Sequence, residues 1–227
     1  MIVSIISRTL SPYAAERFVD FLREVRVAIR HRRGIKSARM FDNARGLKVN
    51  FASGPHKKEG FLNLDSSAHG DIQLDLRRSV PLPDGSCKLV MSEHFIEHLR
   101  YPEGAELFAA ECFRLLEPGG LFYASVPNAP SIINRYVEGT HEWVKKEKPY
   151  HPDEYTTGME LVNDLFRQRP RGRSIGHFEC HWMAYDFETF QKLLTNAGFI
   201  GVVERPRDSG IDSSHHQGSL FIAASKP

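Results

Sequence analysis

Long apolar runs and paired cysteines are both scarce in this sequence, and each absence excludes a class of protein. The longest apolar stretches are strand-length pieces such as 121–126, far short of the roughly 20 residues that a transmembrane helix needs. The three cysteines, Cys87, Cys112 and Cys180, are odd in number and widely spaced, which argues against a disulfide framework and for a reducing compartment. Residues 1–10 are apolar but lack the basic start and the cleavage site of a signal peptide. We therefore expect a cytoplasmic protein.

The length and composition are those of one ordinary globular domain. With 227 residues the chain has room for one substantial core and a small appendage, and not for two full-sized domains. Hydrophobic residues make up 41% and charged residues 26%, which excludes a disordered chain. The net charge of +2 is uneven, because residues 1–40 hold nine Arg or Lys against three Asp or Glu. No nucleic-acid-binding module accompanies this basic start, so no nucleic-acid partner is expected.

The first predicted element is a helix in a basic N-terminal extension, residues 1–45. Ser11 fits the N-cap and Pro12 the first position of a helix that runs to Arg33. Its apolar residues recur at helical spacing: Tyr13, Phe18, Phe21, Leu22, Val25 and Ile29. We interpret its arginines first as a solvated face, although they would also suit a membrane surface, nucleic acid or an anionic substrate.

Residues 46–227 are predicted to form one α/β domain. Short apolar segments bounded by Gly, Pro, Asn or Asp predict strands at 47–52, 61–64, 72–76, 88–92 and 120–126, with later candidates at 200–204 and 220–224. Helical periodicity marks 102–116 and 186–196, and glycines follow both segments. Strands that alternate with helices imply a parallel sheet with helices on its faces.

A long interval, 129–185, breaks this pattern into polar, aromatic and proline-containing pieces. The one helix predicted inside it is 158–168. Because long irregular intervals inside compact domains are usually functional, we interpret 129–185 as an insertion that covers the substrate side of the domain as a lid.

The most informative stretch is 47–55 followed by 61–65. A strand that runs into a loop of tiny residues lets the backbone approach a ligand closely, and Asp65 at the end of the next strand can accept both hydroxyls of a ribose. Glycine-rich turns alone are a weak signal, since many only turn the chain. The carboxylate at the later position indicates a nucleoside cofactor.

Several motifs then follow in a fixed order: Asn50-Phe-Ala-Ser-Gly-Pro55, Asn63-Leu-Asp65, Asp75-Leu76, Pro81-Leu-Pro-Asp84, the stretch 90–99 and the stretch 114–121. Over roughly residues 46–128 this series resembles the motif set of class I S-adenosylmethionine-dependent methyltransferases, and 187–199 is similar to the family's late helix ending in Ala-Gly-Phe. The resemblance implies a three-layer Rossmann-like fold. Its seven-stranded sheet would be mostly parallel with an antiparallel last strand.

The resemblance also implies a role for individual residues in binding S-adenosylmethionine. The methionine part would contact Asn50, Ala52, Ser53 and Gly54; the ribose diol would bind Asp65, and Asp75 with Leu76 would flank the adenine. Ser92 and Glu93 would line the floor of the same site, and His94 is the preferred general base. The segment before the late helix supplies candidate substrate residues, His181, Trp182 and Tyr185; the last two would equally fit a core.

Two histidine clusters are candidate metal sites, and neither is expected to hold a metal. His94 and His98 are spaced for one helix face, but two ligands do not make a zinc site, and Glu97-His98 fits a structural turn. His177, Cys180 and His181 lie close in sequence, with only the pair 215–216 as distant partners.

The predicted function is methyl transfer from S-adenosylmethionine to a small-molecule or saccharide acceptor, at oxygen. The amino-group motif Asn-Pro-Pro-Tyr does not follow the fourth strand. A nicotinamide-dependent oxidoreductase would need a Gly-x-Gly-x-x-Gly turn, which 52–58 does not supply. A weakened methyltransferase-like domain that binds a partner or, peripherally, a membrane through its basic helix stays open. Ala52, where the family has glycine, and Asn50, where it has an acid, favour that alternative.

Overall fold

A computed structural model describes residues 11–139, 157–165, 180–214 and 218–227. The helices are α1 Pro12–Ala38, α2 Glu103–Leu115, α3 Ala129–Val137, α4 Gly158–Leu165 and α5 Phe187–Asn196. The strands are β1 Leu47–Phe51, β2 Leu62–Asp65, β3 Ile72–Gln73, β4 Cys87–Glu93, β5 Leu116–Pro127, β6 Ile200–Glu204 and β7 Ser219–Ser225. Short 3₁₀ turns occupy Arg39–Phe41 and Ile96–His98.

The strands form one seven-stranded sheet in the order β3-β2-β1-β4-β5-β7-β6. The five strands from β1 to β5 pair in parallel, whereas β7 runs antiparallel to both β5 and β6. The strand order reverses between β1 and β4, which is the position where open α/β sheets bind ligands. The predicted Rossmann-like methyltransferase fold, with its antiparallel last strand, is confirmed.

The centre of the sheet is the centre of the core. Val49, Phe51, Val90 and Phe122 are fully buried on β1, β4 and β5. Helix α2 buries an apolar stripe of Ala105, Phe108, Ala109, Cys112 and Leu115. Cys87 and Cys112 belong to this core as free thiols, and burial raises the pKa of both.

The 129–185 interval differs from its prediction at its start. Helix α3 begins directly after β5, where Asn128 caps it by accepting a hydrogen bond from the backbone N–H of Ser131 at 3.1 Å. Pro130 lies in the first turn, a position that needs no backbone donor. The prediction of an irregular chain is therefore wrong for 129–137. The predicted helix at 158–168 is present as α4, and its last three positions lie outside the described residues.

Strand β3 ends at Gln73 and not at Leu76 as predicted, because helix α1 packs against the residues that follow it. The backbone N–H of Asp75 donates to Nδ1 of His31 on α1 at 3.1 Å, in place of a sheet hydrogen bond. A Cβ on Gly34 of the same helix would lie 2.1 Å from the carbonyl oxygen of Gln73, so only glycine allows this close packing. Helix α1 therefore covers the β3 edge of the sheet. Within the described residues, every helix is too short or too polar to cross a bilayer.

Candidate active site

One cavity of about 740 Å³ opens beside the carboxyl ends of β1 and β2. Pockets for small ligands span roughly 300–1,000 Å³, so this volume suits a nucleoside-sized molecule. Its lining comes from α1, from the loops after β1, β2, β3 and β4, from α2, and from Trp182. The lining residues are Glu24, Ala52, Asp65, Ser66, Asp75, Leu76, Arg77, Phe95, His98, Leu99, Arg100, Glu103, Gly104, Leu107 and Trp182.

The loop after β1 turns sharply where a ligand would approach the backbone. Ala52 has a φ of 54° and Gly54 a φ of 50°, both in the left-handed region. Glycine adopts this region freely, whereas an alanine there is strained. Ala52 lines the cavity, while Ser53 and Gly54 are not among the described residues that do so.

Asp65 fixes this loop from the end of β2. Its Oδ2 accepts a 2.9 Å hydrogen bond from the backbone N–H of Gly54, and its Oδ1 accepts one of 2.7 Å from that of Ser67. The residue is 9% exposed and lines the cavity. Each carboxylate oxygen keeps a further lone pair, so Asp65 can still accept hydrogen bonds from a ligand diol.

Asn50 lies behind the loop rather than on the cavity wall. Its Nδ2 donates to Oδ1 of Asn63 at 3.0 Å, and this joins β1 to β2 through a buried amide pair. The same Asn63 oxygen accepts from the backbone N–H of Lys58 at 2.9 Å. The observed contacts of Asn50 therefore hold the strand ends together.

A network of ion pairs at the cavity joins the loop after β3 to helix α1. Arg77 donates from Nε to Asp75 at 2.7 Å and from its terminal nitrogens to Glu24 at 2.9 and 2.8 Å. Burial alone would raise the pKa of Asp75, but the hydrogen bonds and charge of Arg77, with the charge of Arg78, hold that pKa below its ordinary value. Leu76, 5% exposed, provides the apolar surface beside this carboxylate.

The end of β4 carries two predicted site residues, Ser92 and Glu93, that are not among the described residues lining the cavity. Ser92 is 2% exposed, and its hydroxyl has no hydrogen-bond partner within the described chain. Glu93 forms a 2.8 Å salt bridge with Lys58 and accepts from the backbone N–H of Ser213 at 2.8 Å. These contacts tie β4 to neighbouring loops.

His94 lies just beyond β4, with a φ of 48°. Its Nε2 is 2.6 Å from the hydroxyl of Ser219, and its Nδ1 is 3.4 Å from Oε1 of Glu97. The imidazole is therefore held between β7 and the 3₁₀ turn Ile96–His98. Its role as a base stays a prediction.

The 3₁₀ turn and the segment before α5 bring three titratable side chains together. One ligand-type atom each of Glu97, His98 and His181 lies within 4.8 Å of the other two. Glu97 is 1% exposed and His181 is 9% exposed, while His98 lines the cavity. The rings of His98 and His181 meet edge to face, with centroids 4.8 Å apart.

The two predicted aromatic substrate residues differ in position. Trp182 lines the cavity, and the guanidinium of Arg100 lies 5.2 Å from its ring centroid. Tyr185 is 1% exposed and packs edge to face against Phe190, so it is a core residue. Burial raises the pKa of Tyr185, and the charge of Glu97 raises it further.

The structure thus brings together Ala52, Asp65, Asp75, Leu76 and Trp182 from the predicted set around one cavity. Sequence reasoning missed Glu24, Arg77 and the wall formed by Phe95, Leu99, Glu103 and Leu107. These four residues are spaced four apart in the sequence, which could have predicted that they share one side of the turn and helix after β4. No local signal marked Glu24, which reaches the cavity only because α1 packs on β3.

Comparison with known proteins identifies the class of this domain. Residues 40–124 match the methyltransferase domain family. A probable S-adenosylmethionine-dependent methyltransferase of Mycolicibacterium smegmatis is 37% identical over 83 residues, which are 37% of this chain and 29% of that protein. Over the matched segment the chain is therefore similar to S-adenosylmethionine-dependent methyltransferases, which confirms the resemblance and the cofactor predicted from its motifs. The chain spans less than a third of the length of that curated relative.

Solved structures with a similar fold include three methyltransferases. A possible histamine N-methyltransferase of Thermotoga maritima is 15% identical, with a TM-score of 0.47 over 93% of this chain and 98% of that one. A methyltransferase of Methanosarcina mazei is 15% identical, with a TM-score of 0.48 over 83% of this chain and 95% of that one. Phosphoethanolamine N-methyltransferase 2 of Haemonchus contortus, solved with S-adenosylmethionine, is 10% identical. Its TM-score is 0.46 over 86% of this chain and 52% of that one. Likeness at this level assigns no substrate.

Proposed function

We propose that this protein transfers the methyl group of S-adenosylmethionine to an oxygen of a small-molecule or saccharide acceptor. The observation that carries the proposal is a single cavity with two chemically different ends. Asp65, Asp75 and Leu76 come from the ends of β2 and β3, on one side of β1, and form the first end. His98 follows β4 on the other side of β1 and forms the second end with Trp182, which is hydrogen-bonded to the same turn.

The first end suits the nucleoside part of the cofactor. Asp65 would accept hydrogen bonds from the ribose hydroxyls, and Leu76 would pack on the adenine beside Asp75. The left-handed turn at Ala52 brings the loop backbone to the same wall. When bound, the cofactor supplies a positively charged sulfonium whose methyl group is transferred.

The second end suits an acceptor. In-line methyl transfer needs proximity and alignment, and an acceptor hydroxyl must also lose its proton. Trp182 and Arg100 offer a flat apolar surface with a cation above it, and His181 lies behind His98. His94 contacts Glu97 next to this end, which supports the proposal that it serves as the base.

The interval 129–185 is proposed to cover this second end. Its two ends meet: Asn128 and Tyr185 form an isolated parallel bridge, and the backbone N–H of Ala129 donates to the carbonyl of Tyr185 at 3.4 Å. Helices α3 and α4 inside the interval pack against each other. The two ends of the interval therefore lie side by side near Trp182, as an inserted lid requires.

Calorimetric titration of the purified protein tests the cofactor end. We expect binding of S-adenosylmethionine and S-adenosylhomocysteine and none of NADH. A screen of hydroxylated and saccharide acceptors, read as S-adenosylhomocysteine release, then tests the acceptor. Failure of both sulfur nucleosides to bind would overturn the enzymatic proposal.

A second candidate function rests on the outer face of α1. Phe21 is 60% exposed and Ile29 47% exposed, on one stripe with Val25, and exposed Arg26 and Arg32 flank it. An apolar stripe beside cations suits the surface of an anionic membrane. Vesicles of phosphatidylcholine with and without phosphatidylserine test this role. We expect salt-sensitive binding to the anionic vesicles alone, lost in Phe21→Ser; equal binding of that variant would reject it.

A further inference from the structure

Glu97, His98 and His181 form a group beside the cavity that combines two imidazoles with a carboxylate. Their ligand-type atoms all lie within 4.8 Å of one another. The first two come from the 3₁₀ turn after β4, and His181 comes from the segment before α5. The backbone N–H of Trp182 donates to the carbonyl of Glu97 at 2.6 Å, which fixes the two segments side by side.

We propose that Glu97, His98 and His181 bind one divalent transition-metal ion that holds the acceptor oxygen. The proposal rests on the proposed function for its acceptor, but the metal site itself is defined by these three side chains.

The donor set selects the kind of metal. Two imidazoles and one carboxylate suit zinc or a similar transition ion, and three protein ligands leave positions open for water or a substrate. Magnesium prefers a shell of oxygen ligands, so it fits this set poorly. Donor atoms about 2.1 Å from one zinc ion lie within about 4.2 Å of one another, so small side-chain rotations would bring atoms that lie within 4.8 Å of one another onto the ion.

The surroundings favour a cation. Glu97 is a carboxylate with 1% exposure, and a divalent charge beside it offsets the cost of burying its own charge. The hydroxyl of buried Tyr185 has no hydrogen-bond partner among the described residues, and Tyr185 interacts electrostatically with Glu97.

The position next to the cavity defines what the ion would do. His98 lines the cavity, so an ion on its imidazole would be reachable by an acceptor hydroxyl. The ion would act as a Lewis acid that lowers the pKa of that hydroxyl. The hydroxyl gives its proton to the general base, its oxygen forms the new bond to the methyl carbon, and the carbon–sulfur bond breaks. The electron pair of that bond stays on sulfur, and the metal keeps its oxidation state.

Metal binding is measured on the tag-free protein of 227 residues after dialysis against a chelator. Zinc is titrated calorimetrically, and Co²⁺ is followed by its visible absorption. We expect one site per chain and no response to Mg²⁺. Glu97→Gln and His181→Gln keep the size of the side chains and should weaken zinc binding by about 100-fold or more, beyond the loss typical of supporting residues.

Two matched variants separate this site from general thiol or histidine binding. Cys180→Ser removes the thiol next to His181, and His69→Gln removes an exposed imidazole bonded to Ser67. Both should bind zinc like the parent protein. Thermal melting establishes that each variant is folded, and His98→Gln replaces either ligand variant that fails to fold.

Each outcome decides between the two proposals. Absence of zinc and Co²⁺ binding, or equal binding by the parent and the ligand variants, overturns the metal site, while binding of S-adenosylmethionine in the same preparations leaves the proposed function standing. Zinc binding without cofactor binding supports the site and removes the proposed function. Zinc binding that leaves turnover and acceptor KM unchanged overturns the acceptor role of the metal.

Discussion

The backbone N–H of Gly54 donates a 2.9 Å hydrogen bond to Oδ2 of Asp65, so the loop after β1 is held by the carboxylate at the end of β2. One side chain thus shapes the turn and presents charge to the cavity. We expect Asp65→Ala to lower the affinity for S-adenosylmethionine by roughly 10²–10⁴-fold, since hydrogen bonds to a charged group contribute about 1.5–3 kcal/mol each. Calorimetric titration measures the effect.

Asp65→Asn keeps an acceptor for the amide of Gly54 and separates folding from binding. It should fold like the parent protein and still bind the cofactor weakly. Asp42→Ala removes an exposed carboxylate that is not among the cavity-lining residues, and serves as the control. Parental affinity in Asp65→Ala would refute the ribose assignment.

Ala52→Gly tests the strain at the cavity wall. A left-handed alanine is strained by roughly 1–2 kcal/mol, and glycine would remove this strain. Glycine also gives the unfolded chain more conformational freedom, which lowers the stability by about 0.4–1 kcal/mol. We expect the free energy of unfolding to rise by up to about 1 kcal/mol, measured by urea denaturation. Removal of the methyl group should also tighten cofactor binding.

The matched control for Ala52→Gly is Ala110→Gly, on the exposed side of α2. There the backbone is helical, so glycine should destabilise by about 1 kcal/mol. Equal destabilisation by both substitutions would show that Ala52 carries no strain.

His31 links α1 to the loop after β3 through the amide of Asp75. Burial lowers the pKa of His31 below 6.5, partly offset by the charge of Asp75, and Arg78 lowers it further. A lowered folded pKa means that the unfolded chain binds the proton more readily. Neutral His31 therefore makes its full contribution to the free energy of unfolding above about pH 6.5. That contribution is lost as the pH falls through the pKa of His31 in the folded protein.

His31→Gln keeps an acceptor but does not titrate. We expect its free energy of unfolding to fall less than that of the parent when the pH is lowered from about 8 to about 5. His69→Gln, at an exposed position, should follow the parent curve. Parallel curves for the parent and His31→Gln would contradict the link between protonation and helix docking.

His94→Asn separates basicity from backbone strain. Asparagine tolerates the left-handed φ of 48° and can still hydrogen-bond to Ser219, but it accepts no proton at neutral pH. We expect kcat to fall by roughly 10²–10⁴-fold with the affinity for S-adenosylmethionine unchanged. Ser219→Ala, which leaves the imidazole in place, should retain most turnover. A fully active His94→Asn would assign the proton transfer to another group.

Local patterns predicted much of the architecture because each element carries its own periodicity and end signals. Strand β6 has the predicted bounds, and α5 begins directly after Asp186, whose side chain caps it. The order of the motifs identified the sheet topology and the position of Asp65 at a strand end. Helix α3 was missed because Asn128 and Pro130 resemble a loop until the cap geometry is seen.

The sequence by itself determined the resemblance to methyltransferase domains, the parallel sheet and the place of Asp65 at the end of β2, since these depend on short segments and their order. Only the tertiary structure decided that Glu24 reaches the cavity and that Asn50 bonds to Asn63. It alone joined His98, which precedes the 129–185 interval, to His181, which lies near the end of that interval. The physical reason is that side chains distant in sequence meet through packing and strand pairing, which leave no periodic trace in either segment.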